Sequence, residues 1–406
     1  MVKRLAVYAC VLVLAAGLLL AAWQRAGQGP SATPLVETVA MRGAGDVADD
    51  VCLWVHPKDA SRSVIIGTNK STSSAGGLYA FRLDGARCDG AREWVAGKNR
   101  FDAGECVNNV DVRYGFPAGE EAWDIVCASN RSRRAIDVLR VTTGPGGDFA
   151  GLELVGRIAV GGKAAGNPVP YGLAMYHSRR LGRYFAIVSD IPGRIWQVEL
   201  VHKAGGKGSD RITGKLLGGK DAPWRICPGQ VEGIVADDEN DVVYIAGEDK
   251  GIFRFQTANG TLDPRKSTTV DTTGGERLVA DVEGLTLYYG PKGQGYLIAS
   301  VQGASRFAVY SRRFDAGKPN DYVMSFHVGR GRGIDAVTET DGIDVTNLNL
   351  GGRFAGGMFL AHDGQGDNPS NFKLVSWAEI ARLGGHELLI DTAWSPRPAP
   401  TDPNAR

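Results

Sequence analysis

The chain has 406 residues, 43% hydrophobic and 22% charged, which excludes a disordered chain and leaves ample length for a full core. A formal net charge of +1 with both signs interspersed argues against nucleic acid and anionic membrane surfaces as partners. The chain opens on Lys3 and Arg4, followed by an uncharged apolar run over 5–23. That run approaches the roughly 20 residues of a membrane span, so residues 1–28 read as a secretory signal or an uncleaved N-terminal anchor. Export to the periplasm or beyond the cell is the expectation. Beyond Cys10, the odd set Cys52, Cys88, Cys106, Cys127 and Cys227 predicts, in an oxidising compartment, one or two disulfides and at least one leftover thiol, with pairing unreadable from spacing.

Residues 29–40 read as a polar linker that runs toward a first strand. Short β-type runs then follow one another, broken by Gly, Asp, Asn and Pro: 51–55, 63–68, 78–83, 108–114, 123–128, 135–141, 184–188 and 195–200. The stretch 229–255 reads as a hairpin with acids at its rim, Asp237, Asp238 and Glu239 on one turn and Glu248 on another. An EF-hand reading fails there, because Val242 stands where the loop needs Gly. Further runs occupy 281–285, 296–300, 307–310, 340–345, 358–361 and 371–377, and only 377–383 reads as a short helix. Units of roughly 50 to 65 residues with three or four strands each predict an all-β radial fold with about six blades. The boundaries that follow are a single domain over 41–390 and a C-terminal tail over 391–406, with a monomer as the expected state.

The chemistry is read partly by exclusion. No Gly-x-Ser-x-Gly elbow, P-loop or His-Glu-x-x-His motif is present, and the six His residues show no ligand spacing. What remains is a surplus of acids beside Gly at strand ends, with a few isolated cations. Such a set suits hard metal ions and an anionic substrate. A solvated acidic turn or a salt-bridged rim suits it equally at this stage.

Several segments, in order, resemble the β-propeller phytases over roughly residues 40 to 385. They include Asp46-x-x-Asp49-Asp50 ahead of a Trp strand, Gly67-Thr68-Asn69-Lys70, Asn108-Asn109-Val110-Asp111-Val112-Arg113 and Ser129-Asn130-Arg131. Tyr171-Gly172-Leu173, Gln230-Val231-Glu232-Gly233, Glu248-Asp249, Asp281-Val282-Glu283-Gly284-Leu285, Gln302-Gly303, Asp341-Gly342-Ile343-Asp344-Val345 and Asn371-Phe372-Lys373-Leu374-Val375 follow. The resemblance implies a six-bladed β-propeller that hydrolyses phosphate monoesters of myo-inositol hexakisphosphate (phytate) with several Ca²⁺ ions, by direct attack of a calcium-bound water.

Carried over by position, the resemblance implies Glu232, Asp281, Glu283 and Gln302 as Ca²⁺ ligands, with Asp49 and Glu248 around them. Asp50 and Asp335 match structural Ca²⁺ positions, and Asp341 and Asp363 are candidates for the same role. Lys70, Arg131 and Tyr171 match residues that hold the substrate phosphate. Tyr171 equally suits a core aromatic, and Asp341 and Asp344 an Asx turn. The chain departs from the family at Val51-Cys52, Val231, Ser71 and Ile191. The last two replace phosphate-binding lysines, and Arg194 is the candidate substitute. Fewer cations leave two alternatives open: a calcium-dependent phosphatase for smaller phosphomonoesters, and a propeller that binds Ca²⁺ and anions without catalysis.

Overall fold

The structure is a computed structural model that describes residues 29–88, 104–161, 166–219, 222–226, 229–364 and 367–397. Its strands form six sheets arranged as the blades of a β-propeller, as the resemblance implied. The inner strands are Ala48–Trp54, Val107–Ala118, Pro170–Ser178, Val231–Asp237, Val282–Tyr289 and Ile343–Thr346 for blades 1 to 6. Each blade steps outward by antiparallel hairpins; the stretch around 229–255 supplies Val242–Gly247 and Gly251–Ala258 of blade 4.

The apolar runs are continuous because blades stack face to face. All seven residues of Ala48–Trp54 and all six of Val242–Gly247 are buried. One core cluster joins Trp123, Ile125 and Val138 of blade 2 to Met175, Tyr184 and Trp196 of blade 3. Comparable clusters lie between blades 3 and 4, 4 and 5, and 5 and 6, and one spans blades 6, 1 and 2. Hydrophobic burial thus closes the ring, at about 25 cal/mol per Å² of apolar area removed from water.

The stretch read as a linker contributes strands. Ser31–Ala32 pairs in parallel with Tyr322–Val328 of blade 5, and Pro34–Glu37 is the outermost strand of blade 6. Their apolar content is too low to announce them, because an outer strand needs backbone partners more than a core face. The last blade is therefore built from both ends of the described chain. The expected helix is one turn, Trp377–Ile380, followed by a 3-10 turn at Leu383–Gly385.

The C-terminal segment then crosses the lower face. Leu389 and Asp391 donate backbone N–H groups to Tyr296 and Tyr288 hydroxyls of blade 5. Trp394 stacks on Tyr289 at 4.1 Å, and Arg397 pairs with Asp124 of blade 2. Trp394 and Pro396 thereby line one end of a central cavity of about 140 Å³.

Cys52, Cys106 and Cys127 carry free thiols, so none of these three forms the disulfide expected of an exported chain. Cys52 and Cys127 lie in separate hydrophobic clusters. Residues 1–28, Cys10, Cys227 and 398–406 lie outside the described residues. Among the described residues no helix is long and apolar enough to cross a membrane.

Candidate functional site

The site is assembled by one local device used repeatedly. On five inner strands, three residue steps oppose two on the neighbouring strand: Ala48/Val51, Val107/Val110, Pro170/Leu173, Val231/Ile234 and Val282/Leu285. A bulge of this kind bends the strand and re-aims side chains. The bulged pairs are Asp49-Asp50, Asn108-Asn109, Tyr171-Gly172, Glu232-Gly233 and Glu283-Gly284. In blade 6, Asp341-Gly342 stands in the same place, immediately before Ile343.

The second residue of each pair abuts the next blade. A Cβ on Gly233 would fall far inside contact distance of the Glu283 carbonyl oxygen, and one on Gly284 would press on that of Asp341. Hydroxyls fix the same joints. The Asp50, Asn109 and Gly172 N–H groups donate to Thr68, Ser129 and Ser189, each at 2.8 Å. Ser129 and Ser189 donate onward to the carbonyls of Tyr171 at 2.6 Å and Val231 at 2.5 Å. The N–H groups that a bulge leaves unpaired are thus satisfied within the blade, and the Tyr171 and Val231 carbonyls by the blade beside it.

The first residues of the pairs converge. Glu232, Glu248 and Glu283 each bring an oxygen within 4.8 Å of the others. Burial, reinforced by Asp341, pushes the Glu232 carboxyl up to about 7, while a Tyr171 hydrogen bond works against the rise. Burial and then Asp281 push Glu248 up to about 7. Burial, with Glu232 and Glu248 adding to it, drives Glu283 well above the usual carboxylate range. Gln230 Nε2 spans Tyr171 Oη at 3.3 Å and Glu248 Oε1 at 3.2 Å, and Gln302 donates to Asp341.

Cations sit on the other side. Lys70 Nζ lies 2.8 Å from Asp46, 2.9 Å from Asp49 and 2.8 Å from Asp341. Burial alone would lower the ammonium's pKa, but Asp49, Asp341 and Asp46 override it and hold the group above its ordinary value. Arg131 lies over the Tyr171 ring, 5.7 Å from its centroid, and donates from Nη1 to Asn108 Oδ1 at 3.1 Å. His362, fully buried, approaches Asp46 through Nε2 at 3.2 Å and accepts the Asp341 N–H through Nδ1.

Asp49, Glu232, Glu248, Asp281, Glu283, Gln302 and Asp341 therefore share one rim with Lys70, Arg131 and Tyr171. The remaining sequence candidates stand apart. Asp50 turns its Oδ2 to the Val110 N–H at 2.9 Å. Asp335 and Asp363 meet Glu37 around the buried Lys373 ammonium, at 2.5, 3.0 and 2.7 Å respectively. Arg194 pairs with Asp190 at 2.6 Å and lies over Trp196. The acids at 237–239 belong to the opposite end of blade 4, where Asp237 pairs with the buried Arg312 at 2.6 Å and Asp238 with Arg113 at 2.8 Å. Cys127 and Arg133 have the five-residue interval of a cysteine phosphatase cradle, yet the thiol is buried, which drives its pKa well up.

Asn108 and Asp46 are the rim residues that candidate selection passed over. The signal for Asn108 is the repeated tetrapeptide itself: Val107-Asn108-Asn109-Val110 aligns with Val231-Glu232-Gly233-Ile234 and Val282-Glu283-Gly284-Leu285.

The donor set fits a hard cation. It is rich in carboxylate oxygen and free of sulfur, and Asp49 Oδ2 and Glu283 Oε2 are buried there with no hydrogen-bond partner. The Asp46–Asp341–His362 group fits less well, since His362 already accepts the Asp341 N–H.

Comparison with known proteins bears on the family. The family model Phytase matches residues 2–400. A 3-phytase of Bacillus subtilis (strain 168) is 37% identical over 378 residues, covering 90% of this chain and 88% of that protein. Among solved structures, the β-propeller domain of Cps50 (Swd1) from Myceliophteria thermophila aligns at 12% identity and TM-score 0.41, covering 84% of this chain and 98% of that one. That likeness is too low to carry any argument.

Proposed function

The chain belongs to the phytase family, and from that premise we propose that it releases inorganic phosphate from myo-inositol hexakisphosphate in a calcium-dependent reaction at the bulge-built rim. The observation that carries the proposal is the division of the rim. Buried acids whose charges oppose one another occupy blades 4 to 6 and 1, and Lys70 and Arg131 flank the neutral Asn108 and Tyr171.

Glu232, Glu248, Asp281, Glu283, Gln302, Asp49 and Asp341 would hold the calcium. When bound, it would cancel their charge and act as a Lewis acid toward phosphate oxygens. Arg131 would present its planar fork to the phosphate, a geometry suited to bidentate contact. Lys70 would neutralise a further oxygen from the adjoining blade. Tyr171, whose hydroxyl burial and Glu232 hold above the ordinary range, stays protonated and keeps Glu232 oriented. Water would attack phosphorus directly, the P–O bond to the ring would break, and the departing ring oxygen would take up a proton.

The test is phosphate release from inositol hexakisphosphate by the chain lacking residues 1–28, with Ca²⁺ and with excess chelator. Release restricted to the calcium arm is expected, and equal release in chelator would overturn the calcium reading. The Arg194–Asp190 pair favours a second reading, since it ties up the candidate replacement for a lost phosphate-binding lysine. A preference for substrates with fewer phosphates follows, checked by comparing inositol hexakisphosphate with a sugar phosphate.

A further inference from the structure

We infer that Asn108 is a positioning residue that couples the phosphate-binding arginine to the metal-holding carboxylates. Its amide is 1% exposed and faces two partners of opposite charge. Oδ1 accepts from Arg131 Nη1 at 3.1 Å, and Nδ2 donates to Glu232 Oε1 at 2.9 Å. Nδ2 also reaches Asn109 Oδ1 at 3.0 Å.

The orientation is forced. A guanidinium has donors only, so the amide oxygen must face Arg131, which turns the nitrogen to Glu232. Among side chains of this size only Asn supplies both ends. Asp would set a second negative charge against Glu232, and Leu would leave Arg131 and Glu232 without their shared partner in a buried setting.

Position in the fold makes the same point independently. Asn108 is the blade 2 member of the six-fold set whose other members are Asp49, Tyr171, Glu232, Glu283 and Asp341. Its hydrogen bond to Glu232 runs from blade 2 to blade 4, across the blade that carries Tyr171. Arg131 lies over that same tyrosine ring. Asn108 therefore stands where the acidic arc gives way to the neutral one, and movement of Arg131 onto a phosphate is felt at Glu232 through one rigid amide. A hydrogen bond to a charged group in a buried site is strong enough to transmit this.

The inference rests on the proposed roles of Arg131 and Glu232, so Arg131→Gln and Glu232→Gln are measured beside it. Wild type, N108L, N108D, R131Q and the doubles N108L/R131Q and N108D/R131Q are assayed for phosphate release from inositol hexakisphosphate. Calcium binding without substrate is followed by calorimetry. N108L is expected to raise KM about tenfold, and in the R131Q background to raise it less than twofold. It also weakens calcium binding severalfold. N108D is expected to raise KM while leaving calcium binding undiminished, because a carboxylate replaces the amide beside Glu232. A merely structural role would lower Tm in both variants without that split.

N108L kinetics within twofold of wild type, or effects that multiply in full with those of R131Q, overturn the inference alone. If R131Q and E232Q themselves turn over normally, the site reading falls and this inference with it. Should N108L fail to fold, the N108D and R131Q cycle supplies the same coupling.

Discussion

Stripping the metal should make acid stabilise this protein, against the usual trend. The perturbation is a shift from pH 7.5 to 5 on calcium-free protein. An ordinary glutamate titrates near 4.5, which serves for the unfolded chain, and burial together with Asp341 pushes Glu232 up to about 7 in the fold. Between those values the folded state binds the proton and the unfolded state does not, so stability rises as pH falls through 7 and is fully gained below 4.5. The separation is worth about 3 kcal/mol at 1.36 kcal/mol per pH unit. With an unfolding entropy near 2.1 cal/mol/K per residue over roughly 350 residues, that is about 4 °C in Tm. Glu248 adds a smaller increment of the same sign.

His177 works the other way. Burial, helped by Arg113 and Arg179, pushes it down to about 4, so the unfolded state takes the proton first as pH falls below 6.5. Comparison with Glu232→Gln removes this background, because the His177 contribution is common to both proteins. Calorimetric scans of both proteins should converge at pH 5 and separate by about 4 °C at pH 7.5, with E232Q the more stable. Parallel Tm curves would refute the reasoning. With saturating calcium the order should invert at pH 7.5, since the charged carboxylate is then the form that is held.

Three further outcomes can be measured. Gly233→Ala should cost about 3 kcal/mol or more in urea unfolding and depress turnover, because its Cβ collides with the Glu283 carbonyl and moves both rim glutamates. Arg312→Met should cost about 3–5 kcal/mol by stranding Asp237, and the double R312M/D237L should recover much of that. Lys70→Met should raise KM for inositol hexakisphosphate about tenfold while calorimetry still detects calcium binding, because the role proposed for the ammonium is a point charge for phosphate and not a metal ligand.

The strands were legible because blades stack on both faces, so each inner strand reads as a short apolar run closed by Gly or Asp. The hairpin over 242–258 followed from that pattern directly. The closing strands at 31–37 did not, since they are held by backbone ladders on the outer edge and carry few apolar residues. Most of the rim was reachable through motifs, as for Glu232 and Glu283. The acids at 237–239 misled, because sequence does not disclose which end of a strand a turn occupies, nor that Arg312, far along the chain, neutralises one of them. The Arg194–Asp190 pair was hidden for a related reason: a cation four residues from an acid gives no sign that the hairpin brings them together. Asn108 was overlooked because a neutral amide signals chemistry only when its two partners are known, and both come from elsewhere in the ring.

A bulge in five blades, with Asp341 in the same place in the sixth, makes the rim a six-letter word, Asp-Asn-Tyr-Glu-Glu-Asp, written one letter per blade in a fixed typeface. An exchanged letter leaves the backbone of its slot in place, since in blades 1 to 3 the hydroxyls of Thr68, Ser129 and Ser189 hold it. Deleting a single residue from a slot, by contrast, straightens that strand and hands the address to the side chain meant for the cavity below. A protein built this way can change what it binds by spelling, while a slip of register erases the letter altogether.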